Sequence, residues 1–81
     1  MSTQFVQALT IQDILATNVK RRRKELRLTQ ETFATLCGLH RTYIGAIERG
    51  ERNITMSTLS IIAEAINIPP YQLLIPPPRN Q

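Results

Sequence analysis

The sequence predicts an all-α fold of five helices, and three observations carry that prediction. All five prolines stand at or after position 69, so residues 1–68 contain none, and the chain has only three glycines. The usual helix breakers are therefore missing from most of its length. No stretch alternates apolar and polar residues with period two, so no sheet is expected. Gln30, Ala34, Gly38, Ile44 and Ile47 fall at a spacing that needs two short helices joined by a tight turn. The 81 residues suffice for one small domain with a modest core.

Each element follows from its own residues. Residues 1–9 form a short leader whose Phe5, Val6 and Leu9 can fold onto the body. Thr10 is placed to cap helix one, with Asp13 near its positive end. Helix one is expected over 11–26, with Ile11, Leu15, Val19 and Leu26 on one stripe and Ile14 beside it. Arg22 interrupts that stripe, its alkyl stem covering the core while its charge reaches water. Thr29 caps helix two, over 30–37, where Phe33, Ala34, Leu36 and Cys37 supply apolar contacts. Ala34 is small because another helix lies close over it. Gly38 takes the left-handed conformation that ends the helix and redirects the chain, and Leu39 anchors the turn.

Helix three is expected over 41–48. His40 holds its cap position, where Ser, Asp or Asn is usual. Ile44 and Ile47 share a face and pack inward. Gly50 ends the helix, and Glu51 to Ile54 form a loop. Thr55 caps helix four, over 56–66, with Leu59, Ile62, Ala63 and Ile66 inward. Pro69 and Pro70 stop that pattern and start a short fifth helix over 70–75. The resulting organisation is a leader (1–9), a single domain (10–75) and a Pro-rich tail (76–81) expected to be disordered.

The outer face of helix three carries His40, Arg41, Thr42 and Tyr43, with Ala46. It is short, polar and basic. Two helices set this way form a helix-turn-helix, with the second helix offered to a DNA major groove. Charge points the same way. Residues 20–52 hold nine basic side chains against four acidic ones, an excess larger than the net +4 of the whole chain. Such a field attracts phosphate and releases counterions on binding.

Other function classes find little support. One Cys and one His give no disulfide and no zinc site, so no metal or cofactor is expected. Cys37 reads as a small core residue. No paired carboxylates, nucleophile with a base, or phosphate-cradling glycine loop is present, so neither an enzyme nor a small-molecule substrate is expected. No apolar run approaches the ~18 residues of a membrane span, and no secretion signal is seen, so a cytoplasmic location is expected. His40 reads equally as an exposed turn histidine or a phosphate contact.

The segments Leu28-Thr29-Gln30-Glu31, Phe33-Ala34, Gly38-Leu39, Tyr43-Ile44, Ile47-Glu48-Arg49-Gly50 and Arg52-Asn53 resemble the lambda-repressor-like (Cro/XRE) helix-turn-helix family over about residues 11–75. The run from His40 to Thr55 is similar to the controller proteins of restriction–modification systems. The resemblance implies a five-helix lambda-repressor-like domain with the helix-turn-helix at helices two and three. It implies base contacts from Arg41 and Thr42, with Tyr43 and Ala46 along the groove-facing side. It implies phosphate contacts from Gln30, His40, Arg52 and Asn53. Arg23 and Glu48 match a charged pair tying helix one to helix three.

This chain also departs from the family pattern. Position 22 holds Arg instead of an apolar residue, position 27 Arg instead of Gly, and position 40 His instead of a small cap. The first two are expected to shift the corner between helices one and two. Family members form two-fold dimers on operator DNA, and Ile68, Tyr71, Leu73, Leu74 and Ile75 are the candidate seam. Closure of the monomer core is the other reading of those residues. As a controller, the protein is expected to bind pseudo-palindromic operators, recruit RNA polymerase and regulate its own gene. A phage-type repressor, an antitoxin or a helical interaction module without DNA binding are the alternatives.

Overall fold

The computed structural model describes residues 10–77; the leader and the last tail residues lie outside them. Four α-helices follow in order: α1 (Ile11–Glu25), α2 (Gln30–Cys37), α3 (Arg41–Glu48) and α4 (Met56–Ala65). No strand occurs among the described residues. The expected fifth helix is instead a 3₁₀ turn, Pro70–Leu74. Pro70 has no N–H to give, and Pro76 holds Ile75 extended (φ −88°, ψ 128°). The short span between them closes with an i to i+3 bond from Gln72 N–H to the Pro69 carbonyl, 3.0 Å.

Threonines start three of the helices. Thr10, Thr29 and Thr55 are extended, and each hydroxyl accepts the backbone N–H three residues on. Asp13 returns the bond to Thr10 and completes a capping box. The helix ends share a different device. Arg27 (φ 61°), Gly38 (69°), Gly50 (75°) and Asn67 (59°) are all left-handed. The N–H of the next residue then bonds back across the last turn, Leu28 to Arg23, Leu39 to Ala34, Glu51 to Ala46 and Ile68 to Ala63, at 2.9–3.1 Å. These closures are Schellman motifs. They end α1 and α4 one residue before the expected boundaries. At the corner after α1, Arg27 adopts the conformation that a glycine would.

Leu15, Val19, Phe33, Ala34, Cys37, Ile44, Ile47, Ile62, Ala63, Ile66 and Leu73 make the core. The expected α1 stripe holds at its centre and fails at its ends, where Ile11 and Leu26 are exposed. Leu36 is exposed as well. Polar residues complete the inner side of α1. Asn18, 2% exposed, donates its amide to the carbonyls of Leu73 (2.9 Å) and Ile75 (2.7 Å), pinning the 3₁₀ turn to α1. Arg22 donates from Nε to the Ile66 carbonyl at 3.1 Å, satisfying an otherwise unpaired group at the end of α4. Its place in the apolar stripe thus serves another helix. Burial pushes the Cys37 thiol up to about 11, which keeps it protonated and inert.

Candidate nucleic-acid interface

The turn at Gly38 lays α3 across the domain with Ile44 and Ile47 fully inside. That burial decides what faces outward. Arg41 and Thr42 are exposed, and Tyr43 and Ala46 are half-buried. His40 is the N-cap of α3: its Nδ1 accepts the Thr42 N–H at 3.1 Å and lies 2.8 Å from the Thr42 hydroxyl. A nitrogen that accepts must carry a lone pair, so the cap calls for a neutral ring with its proton on Nε2. Only that outward N–H remains for a phosphate.

Behind α3, Arg23 and Glu48 meet in a two-pronged pair, Nε to Oε2 at 2.6 Å and Nη2 to Oε1 at 3.0 Å. The third nitrogen of Arg23 donates to the Leu28 carbonyl at 2.6 Å. Both side chains are nearly closed to water, at 9% and 2% exposure. Glu48 also accepts from the Gln30 side chain at 3.0 Å. One carboxylate therefore joins α1, α2 and α3. Gln30 is exposed, and one N–H of its side-chain amide is spent on Glu48.

The loop after α3 is fixed from two sides. The Arg52 guanidinium lies 4.8 Å from the centre of the Tyr43 ring, a cation–π contact linking loop and helix. Asn53 accepts from Gln12 of α1 through its side-chain oxygen, leaving its NH₂ outward. At Gly50 a Cβ would stand 3.1 Å from Asp13 Oδ1, so loop and α1 approach closely.

Arg49 joins this surface and was not singled out as a contact from the sequence. A Cβ at Gly45 would lie 3.2 Å from Arg49 Nη1 and 3.7 Å from Gln30 Oε1. The guanidinium therefore rests along the bare backbone of the recognition helix, with Nε donating to Glu51 at 3.0 Å. The signal was present: a glycine inside an eight-residue helix costs about 1 kcal/mol against alanine, and Arg49 stands one turn later.

The C-terminal candidates divide. Leu73 is fully buried within the protomer and offers nothing to a partner, so it leaves the proposed seam. Its place opposite α1 is held by the two Asn18 bonds. Tyr71 and Ile75 are exposed, while Ile68 and Leu74 are half-buried against the core. Beside Leu74, an apolar concavity of about 160 Å³ is lined by Ile11, Ile54, Met56 and Leu59. No metal-binding group of acidic, His or Cys residues occurs among the described residues, and no helix there is long and apolar enough to cross a membrane.

A helix-turn-helix family model matches residues 19–73, which contain every helix after the first turns of α1. The chain belongs to the helix-turn-helix family. This family member is 52% identical over 66 residues to the control protein C.SmaI of Serratia marcescens, covering 82% of this chain and 79% of that one. Its fold is similar to the crystal structure of the hypothetical transcription factor NHTF from Neisseria, with TM-score 0.82, 40% identity, and 84% and 78% of the two chains covered. It is also similar to the restriction–modification controller protein C.Esp1396I, solved as a tetramer with its natural 35 base-pair operator. There the TM-score is 0.73, the identity 30%, and the coverage 82% and 87%.

Proposed function

We propose that this helix-turn-helix protein is a transcriptional regulator of the restriction–modification controller type. It binds a pseudo-palindromic operator as a dimer and regulates its own transcription. The observation that carries this reading is α3 itself. Its aliphatic side is sealed in the core, its back is held by Arg23 and Glu48, and Arg41 and Thr42 are left to solvent. The likeness to C.SmaI and to operator-bound C.Esp1396I supports the same reading.

In this reading Arg41 reaches guanine O6 and N7 together, and Thr42 offers a hydroxyl and a methyl. Ala46 allows close approach, and Tyr43 lies along the groove wall with Arg52 over its ring. Phosphates are held by the start of α2 at Gln30, by His40 Nε2, by Arg49 and Arg52, and by the Asn53 NH₂. An eight-residue helix spans few base pairs. A two-fold pair places two such helices one DNA turn apart, ~34–36 Å. Ile68, Tyr71, Leu74 and Ile75 form the seam. The regulator works in the cytoplasm without cofactor or catalysis, and activation proceeds through contact with RNA polymerase.

Footprinting the purified protein on DNA upstream of its own gene tests the proposal. Protection of a two-fold related site, weakened in Arg41→Ala, is expected. Uniform or absent protection refutes it.

A further inference from the structure

Resting on that DNA-binding reading, we propose that the exposed side of α1, formed by Thr17, Lys20 and Lys24, grips the phosphate backbone of the same duplex beside the recognition helix. Five consecutive cations run from Lys20 to Lys24, and the fold treats them differently. Arg23 is buried on Glu48, Arg22 is bonded to the Ile66 carbonyl and Glu25, and Arg21 donates to Asn18 at 3.2 Å. Lys20 and Lys24 are exposed, and neither takes part in an ion pair within 4.0 Å among the described residues. They stand four apart, a spacing at which like charges destabilise a helix. The helix dipole accounts for a cation in the last turn, where Lys24 lies, but not for Lys20 before it.

Thr17, Lys20, Arg21 and Lys24 line one open groove with Ala16 and Glu48. The Glu48 charge in its floor is already met by Arg23 and Gln30, so it does not cancel the lysines. The same carboxylate connects this groove to the start of α2, so a backbone leaving Gln30 meets the lysines next. The groove has no aromatic or large aliphatic side chain. Protein interfaces are poor in Lys and are anchored by such side chains, so a polyanion fits this surface better than an acidic protein does.

The test is a salt titration of binding to a fluorescent duplex of arbitrary sequence, with the wild-type chain and with Lys20→Gln/Lys24→Gln. Loss of two phosphate contacts reduces the log–log salt slope by ~1.8, so affinity falls about 12-fold less for each fourfold rise in salt. Lys20→Arg/Lys24→Arg restores the slope, and preference for operator over arbitrary DNA is unchanged in both variants. Circular dichroism melts establish folding, and each single Lys→Gln change carries ~0.9 of the slope if the double variant is unfolded. An unchanged slope in a folded variant overturns the inference, as does an unchanged slope with weakened promoter activation, which assigns the patch to an acidic protein. Absence of salt-dependent duplex binding by the wild type overturns the DNA-binding reading itself.

Discussion

Arg23 and Glu48 face each other across α1 and α3 through two parallel hydrogen bonds, 2.6 and 3.0 Å long, and Glu48 also holds Gln30. The charges are buried together, so each is tolerable only while the other remains. The pair fixes the angle between the recognition helix and the body.

Removing one partner therefore costs more than removing both. Glu48→Ala strands a buried guanidinium and is expected to destabilise the fold by ~3–5 kcal/mol in urea denaturation. A double change to Arg23→Met and Glu48→Leu is expected to recover most of that loss. A single variant losing under about 1 kcal/mol, the range of surface pairs, would sink this account.

Arg27 sits in the left-handed region at φ 61°. A side chain there costs roughly 1–2 kcal/mol, against which glycine's extra freedom when unfolded counts about 0.5–1 kcal/mol. Arg27→Gly is expected to stabilise the fold by about 0.5–1 kcal/mol on the same balance, read as a raised urea midpoint. Asn67→Gly gains less, because asparagine tolerates this region. A lowered midpoint for Arg27→Gly would mean that its side chain makes a contact worth more than the strain.

Two arginines of the proposed DNA face are expected to fail differently. Arg41→Ala relaxes specificity at one base position by ~1–3 kcal/mol. Arg49→Gln weakens all sequences alike and reduces the salt slope by ~0.9, while the urea midpoint stays where it is in the wild type. Competition binding across single-base operator variants separates them. Sequence-dependent losses for Arg49→Gln would move it among the base readers.

At the proposed C-terminal seam, burial sorts neighbours. Tyr71→Asp with Ile75→Asp changes two exposed residues and is expected to give a folded monomer with weakened operator binding. Leu73→Asp puts a carboxylate into the protomer core and is expected to unfold the chain. Sedimentation velocity with circular dichroism distinguishes the outcomes. A folded dimer in the Tyr71/Ile75 variant moves the interface elsewhere, with the apolar concavity at Ile11 and Met56 next in line.

Helices α2 and α3 were legible to the residue, because local chemistry marks both ends. Thr29 and His40 cap the starts, and the left-handed glycines at 38 and 50 close the ends. The boundaries of α1 and α4 were less so, since Arg27 and Asn67 play glycine's part without being glycine. Arg41, Thr42 and the Arg23–Glu48 pair came from pattern and resemblance. The place of Arg49 beside α3 was not legible, because it depends on an absence, the bare backbone at Gly45.

The sequence alone determined that this chain is helical, where its turns fall, and which helix carries an outward basic face. Those properties are local, set by caps, breakers and a period of 3.6 residues. Tertiary structure decided the uses of the polar groups on the inner side of α1. Arg22 closes the end of α4 and Asn18 secures the 3₁₀ turn, across 44 and up to 57 positions of chain. It likewise drew Leu73 inside while leaving Tyr71 and Ile75 out. A buried polar atom must find its partner wherever folding brings one, and the order of residues along the chain does not state which partner that is.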